Sequence, residues 1–146
     1  MRLVIQRVSR AAVRVDTETV GAIGLGLLVL VGLEYEDGSN QVEKAARRIA
    51  TLRVFEDEDG RMNRGLDEVG GKVLAVSQFT LAGSIRKGRR PSFDHALPGH
   101  DAEPLFDRFV ELLRGHGIEV ETGSFGAMME VELVNEGPVT FIWESF

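Results

Sequence analysis

Lys72–Leu81, KVLAVSQFTL, is the stretch from which the fold is read. After Lys72 it is apolar without alternation through Val76, the pattern of a strand covered on both faces. A polar Ser77-Gln78 pair then interrupts it, followed by Phe79, Thr80 and Leu81. The segment reads as a central strand that runs out of the core into a polar tip. Gly70-Gly71 sets its start. A second run of this kind lies upstream, where Gly24 and Gly26 punctuate the entry to LLVLVGL. These glycines are too sparse for a dinucleotide-binding fingerprint.

Outward from these two strands the chain alternates short strands with two helical patterns. Leu3–Val8 and Ala12–Val15 read as separate short strands. A polar turn at Asp16–Thr19 leads to Val20–Ile23. Asn40 with Glu43 three residues on fits a capping box. Val42, Ala45, Ala46, Ile49 and Leu52 then recur at helical spacing. Arg53–Phe55 opens another strand and EDEDG turns it. Gly83 to Ser92 and Pro98 to Asp101 read as loops. Asp101 is expected to cap a second helix, with Pro104 in its first turn. Leu105, Phe106, Phe109, Val110, Leu112 and Leu113 form its stripe, and Gly115 and Gly117 its end. Ile118–Glu121 is strand-like. Glu130–Val134 is a half-buried strand, Asn135–Pro138 interrupts it, and Val139, Phe141 and Trp143 alternate in the last strand. The expected fold is α/β: one compact domain over residues 1–146, with a mixed or antiparallel sheet of roughly seven or more strands and two main helices.

The 146 residues are 43% apolar and 27% charged, the proportions of a globular domain. The absence of cysteine excludes disulfides, thiolate nucleophiles and cysteine metal sites. No apolar run approaches a membrane span, and the N-terminus lacks a secretory pattern, so a cytoplasmic setting is expected. The net charge of −6 argues against a protein that coats nucleic acid with its whole surface. Basic charge is nevertheless concentrated in Arg86, Lys87, Arg89 and Arg90, where a phosphate partner is at least as good a reading as solvated decoration. Phe93 would pack the base of that loop or stack on a nucleotide, and packing is the preferred reading.

Recognisable side-chain chemistry is scarce. His95, His100 and His116 have no metal-ligand spacing, and no paired-carboxylate or nucleophile-elbow pattern occurs. No metal or other cofactor is implied. Ser77 has no evident base. At Ser77–Thr80, a strand leaving the core competes with a strand end that offers hydroxyls and N–H groups to a ligand. At Gly137-Pro138, an ordinary turn competes with a rigid projection of carbonyls, and the sequence leaves the isomer open.

Taken in order, MRLVIQRVSRAAV, LRVFEDEDGRMN, VSQFTL, RKGRRPSF, VETGSFGAMM and LVNEGPVT resemble the bacterial-type D-aminoacyl-tRNA deacylase family almost end to end. The resemblance implies a barrel-like sheet with packed helices. It also implies a homodimer with sites at the subunit interface, acting on tRNA that carries a D-amino acid or glycine, and it implies neither membrane nor DNA as partner. Ser77, Gln78, Phe79 and Thr80 would form the catalytic segment, with Leu81, Met129, Asn135, Val139 and Thr140 around the pocket. Backbone N–H groups near Phe79 would hold the developing oxyanion, Thr80 would order water or substrate, and the terminal ribose 2′-hydroxyl would assist. Ser77 as nucleophile ranks lower. Gly137-Pro138 would be a cis pair inserted into the partner's pocket, its carbonyls excluding an L side chain. Glycine would escape that exclusion, so glycine mischarged on alanine tRNA would also be hydrolysed. Arg86, Lys87, Arg89 and Arg90 would bind tRNA. Met128 departs from the family, which often has an acidic residue there. The rival readings are a catalytically silent dimeric RNA-binding module and a general small-ester hydrolase.

Overall fold

The computed structural model describes residues 1–145. The elements run β1 (Arg2–Val15), β2 (Glu18–Ile23), β3 (Gly26–Gly32), α1 (Ser39–Thr51), β4 (Phe55–Glu56), β5 (Met62–Arg64), α2 (Leu66–Val69), β6 (Lys72–Ser77), a 3₁₀ turn (Phe79–Ala82), α3 (Gly99–Gly115), β7 (Val120–Thr122) and β8 (Glu130–Glu144). The main sheet has the order β2-β1-β3-β6-β7, and β8 pairs with the other edge of β1. β1 is antiparallel to β2, β3 and β8. The pairs β3–β6 and β6–β7 are parallel, so each needs a long crossover, and α1 and α3 lie in those two connections. The sheet is mixed, as expected, and it is a nearly closed barrel packed with helices.

Two cores explain the two uninterrupted apolar strands. Leu27, Val29 and Val31 of β3 meet Val42, Ala46 and Ile49 of α1 and Phe106, Phe109 and Leu113 of α3. Leu28 faces the opposite way, into a second cluster with Val8, Val13, Ile23, Leu74 and Val76. With both faces of β3 and β6 buried, polar residues have no place along them until the strands end.

β1 is one bent strand rather than two short ones. Leu3 and Ile5 enter the helix-side core, whereas Val8, Ala11 and Val13 enter the second cluster. The break in alternation at Ser9-Arg10 is therefore a bend with register shifts against β8, not an end. The last strand is likewise continuous across the expected interruption, but it bulges. Gln6 faces Thr140 and Val8 faces Asn135, so Glu136–Val139 loops out opposite Arg7 alone. Arg10 and Arg14 latch this pairing by donating to Glu132 at 2.7 and 2.9 Å. Those hydrogen bonds hold the Glu132 carboxyl below its usual range.

The helix starts differ from the sequence reading. The N–H of Gly38 donates to Gln41 Oε1 at 3.0 Å, so one half of a capping box forms two residues before the expected Asn40–Glu43 box. Pro98, not Asp101, precedes α3. Its carbonyl accepts from Asp101 and Ala102 at 3.0 and 2.9 Å, which leaves Asp101 in the first turn and Pro104 inside the helix. No helix among the described residues is long and apolar enough to cross a membrane.

Closure of the barrel depends on a glycine. A Cβ at Gly21 would lie 2.3 Å from the main-chain oxygen of Thr122, where β2 passes over β7. Gly21→Ala is expected to destabilise the protein by about 2 kcal/mol, the usual scale of overpacking against an immobile neighbour. Urea unfolding monitored by circular dichroism measures it, and an unchanged midpoint would mean that the seam yields freely.

Candidate active site

The parallel strands β3 and β6 end side by side, and the ladder continues one step beyond β6, with Gln78 N–H donating to Val31 O at 2.8 Å. The chain then tightens into the 3₁₀ turn at Phe79–Ala82. Between these strand ends, the start of α3 and the 125–129 loop lies a pocket of about 570 Å³. Val31, Leu33, Val76, Ala102, Phe125 and Met129 give it apolar walls, and Ser77, Gln78 and Phe79 form its polar rim. Pro98 and Gly99 contribute the beginning of α3. Phe125 is braced by Phe106, with ring centroids 6.0 Å apart.

No residue lining the pocket carries an ionisable side chain. The groups with displaced titration lie elsewhere. Backbone donation from Arg61 lowers Asp57, Glu119 raises Lys72, and Arg10 with Arg14 lowers Glu132. Among the described residues, no three potential ligands are grouped to hold a metal. The N–H groups of Phe79 and Thr80 open the turn and have no hydrogen-bond acceptor among the described residues. Gln78 Nε2 donates to the Thr80 hydroxyl, which fixes its orientation beside those N–H groups.

The structure brings Ser77, Gln78, Phe79 and Met129 together on the pocket and leaves the other expected residues outside it. Thr80 and Leu81 continue the turn away from the rim. Asn135, Val139 and Thr140 shape the base of the β8 bulge. Asn135 Oδ1 accepts from Val139 N–H, and Asn135 Nδ2 donates to the Thr140 hydroxyl, both at 2.8 Å. Gly137 and Pro138 are exposed on the bulge, their peptide bond is cis, and neither lines the pocket of its own chain. Gly137 has a φ of 126°, and a Cβ there would sit 2.9 Å from the Val139 side chain.

Arg86, Lys87, Arg89 and Arg90 are all exposed on a loop pinched shut by reciprocal Ser84–Ser92 hydrogen bonds of 2.7 and 2.9 Å. Phe93 packs edge-on against Phe79 at 5.2 Å, which couples the base of this loop to the pocket rim. The sequence reading passed over Pro98, Gly99 and Phe125. Phe125 lies in the quoted VETGSFGAMM segment, but an aromatic residue between glycines carries no chemical signal of its own.

Arg7 governs the bulge. It is the one charged residue buried as a whole among the described residues, donating to Val54 O at 2.8 Å and to Glu136 O at 3.2 Å. Glu56 is its nearest carboxylate, at 4.0 Å.

These features define a class: a nearly closed mixed-sheet α/β protein with a large apolar pocket at the carboxyl ends of parallel strands, lined by no ionisable side chain. Comparison with known proteins gives the family. The family model for D-Tyr-tRNA(Tyr) deacylase matches residues 4–144, and the chain belongs to that family. It is 57% identical to the D-aminoacyl-tRNA deacylase of Symbiobacterium thermophilum over 99% of this chain and 96% of that protein. It is 58% identical to that of Desulfatibacillum aliphaticivorans, over 99% of both. The solved structure of c-Myc DNA Unwinding Element Binding Protein superposes with a TM-score of 0.92 at 42% identity, covering 99% of both chains. A solved structure described as a probable eukaryotic D-amino acid tRNA deacylase shares the fold, with a TM-score of 0.83 at 20% identity over 97% of both chains.

Arg7→Met keeps most of the side-chain length but strips the carbonyls of Val54 and Glu136 of their donor. The expected cost is about 2–3 kcal/mol in denaturant unfolding. Faster amide exchange confined to Glu136–Val139 would mark the freed bulge, and unaltered exchange there would show that the bulge holds itself.

Proposed function

We propose that the strand-end pocket is where this chain carries out the reaction of its family, hydrolysis of the ester between a D-amino acid and the 3′-terminal adenosine of tRNA. Residues 1–146 would act as one deacylase domain. The observation that carries this reading is the unbonded N–H of Phe79 at the rim of a pocket without an ionisable side chain, with the unbonded N–H of Thr80 next to it in the turn. Water adds to the ester carbonyl, the oxygen becomes negative, and donors already in position stabilise it without reorganising. The carbonyl–ribose bond then breaks, and the ribose oxygen leaves with a proton. With no side-chain base on the pocket, the terminal ribose 2′-hydroxyl is the group best placed to relay that proton. Thr80, oriented by Gln78, positions the water or the substrate.

Selection of the D form needs a second copy of the chain. Among the described residues β8 pairs only with β1, which leaves its outer edge free, and it exposes Phe141 and Ile142. A homodimer formed on this strand would carry the Gly137-Pro138 bulge to the partner's pocket. Main-chain carbonyls in that position would grip the substrate's amino group and exclude an L side chain, while glycine would pass. Glycine mischarged on alanine tRNA would therefore be a second substrate. The exposed Arg86, Lys87, Arg89 and Arg90 would contact tRNA phosphates, and the setting would be cytoplasmic.

Release of labelled amino acid from D-Tyr-tRNA, L-Tyr-tRNA and Gly-tRNA tests the reading. Rapid loss of the D and glycyl forms with the L form spared is expected. Equal loss of both tyrosyl forms would leave a non-selective esterase, and no loss would leave an RNA-binding module. A D-Tyr-tRNA ending in 2′-deoxyadenosine should react slower by about 10²-fold or more, the usual worth of a positioned proton relay.

Ile142→Lys places a charge on the free edge, a substitution that blocks strand pairing. The variant is expected to sediment as a monomer and to lose turnover. A fully active, stereoselective monomer would overturn the shared site.

A further inference from the structure

Directly behind the 3₁₀ turn lies a second cleft, of about 310 Å³, where Arg2, Glu34, Ser84, Ile85, Arg86 and His95 converge. Ala82 and Gly83 also line it, so the cleft begins where the turn bearing the free N–H groups ends. A turn of this kind rises about 2 Å per residue. Phe79 and the cleft are thus separated by a distance comparable with one nucleotide.

The cleft is built rather than incidental. Tyr35 N–H donates to His95 O at 3.2 Å, and Glu34 bridges Ala96, which fixes the Glu34 and His95 wall. The reciprocal Ser84–Ser92 hydrogen bonds fix the other wall, and Ser84 Oγ accepts from Arg86 N–H at 3.4 Å. Arg2 spans the two. Its Nη1 donates to Leu81 O at 3.2 Å, and its Nε lies 3.2 Å from Glu34 and 3.4 Å from Glu144. Arg2 Nη2 has no partner among the described residues. Arg86 has no carboxylate within ion-pair distance there either. Arg2 offsets the charge of the Glu34 carboxylate, and the donors left for a ligand are Arg2 Nη2, the Arg86 guanidinium and the His95 ring. Guanidinium groups beside a hydroxyl suit the oxygens of a phosphodiester.

We infer that this cleft binds a backbone phosphate of the substrate's single-stranded 3′ end, within one or two nucleotides of the terminal adenosine. The inference rests on the reading of the adjacent pocket as the ester-hydrolysis site. Arg86 and His95 then act as positioning residues, holding the strand so that the ester carbonyl meets the N–H groups of the turn. Gripping the strand beside the reacting group converts binding energy into orientation, a contribution that a substrate without phosphates cannot receive.

The test compares full-length D-Tyr-tRNA with D-tyrosyl-adenosine, which carries the same ester and no phosphate. Arg86→Ala and His95→Ala are used rather than an Arg2 variant, because Arg2 also holds the turn through Leu81. Each variant is expected to lower kcat/KM about tenfold on the tRNA, the scale of a lost charge-assisted hydrogen bond, and to leave the adenosine ester within about twofold. For Arg86→Ala, the slope of log(kcat/KM) against log salt should also become shallower by about 0.7, the value for one contact to a single strand. Arg47→Ala, which removes a cation from the solvent face of α1, should leave both substrates unchanged. Equal losses on both substrates would place the effect in the turn itself and overturn the inference. Wild-type rates on the tRNA with an unchanged salt slope would also overturn it. Failure of the unmodified protein to hydrolyse either ester would instead bring down the reading of the pocket, and this inference with it.

Discussion

The buried guanidinium of Arg7 is the constraint on which the arrangement of this molecule turns. β1 bends past Arg7, β8 loops out opposite it, and the segment after α1 supplies Val54 O as its second acceptor. A charge removed from water is costly unless its donors are satisfied. The three segments therefore have little freedom to part, because any separation strands a charged donor or a carbonyl. Bend and bulge are one feature seen from two strands, with Glu136–Val139 as the extra chain that lets β8 follow β1 along its whole length. The exposed Gly137-Pro138 tip is held from below by a buried contact and from the side by Asn135.

The same logic of buried strands accounts for the position of the pocket. β3 and β6 are covered on both faces, so every polar function they contribute comes from their ends. The carboxyl ends of parallel strands leave N–H groups pointing outward as the chain turns, and the 3₁₀ turn is too short to use all of them internally. Rigid donors then sit beside apolar walls supplied by Val31, Leu33 and Phe125. A site of this type has little need of a titrating side chain. Its electrostatic contribution is fixed on folding and strengthened by the low polarity around it.

Periodicity made the architecture legible, whereas the ends and bends of the elements were not. The uninterrupted runs in β3 and β6 announced a two-faced core, and the stripe from Val42 to Ile49 announced α1. The break at Ser9-Arg10 was visible too, but alternation cannot tell a strand that ends from one that crosses between two cores. Helix starts were misplaced because Gly38 and Pro98 precede their helices without a capping side chain, and no propensity marks such a position. At the site, Ser77–Phe79 could be singled out because polarity there interrupts an apolar strand. Pro98, Gly99 and Phe125 reach the pocket through tertiary packing alone. Nothing local in the sequence says that Arg7 will be covered by Val54 and Glu136.

A pocket of main-chain donors and apolar walls has one shortcoming on its own: nothing in it distinguishes the hand of a substrate. Side chains lining an open apolar wall can shift to admit either enantiomer, and a missing or added methylene changes binding only modestly. Discrimination needs a rigid object on the side of the pocket from which the side chain of one enantiomer must project. Within one chain the exposed Gly137-Pro138 bulge is held by Arg7 and Asn135, yet it lies outside its own pocket and beside the unpaired edge of β8. Under the proposed reading, dimerisation supplies the missing wall, and Arg7 keeps that wall from yielding. Stereoselectivity then becomes a property of the assembled pair, while the oxyanion donors belong to each chain alone.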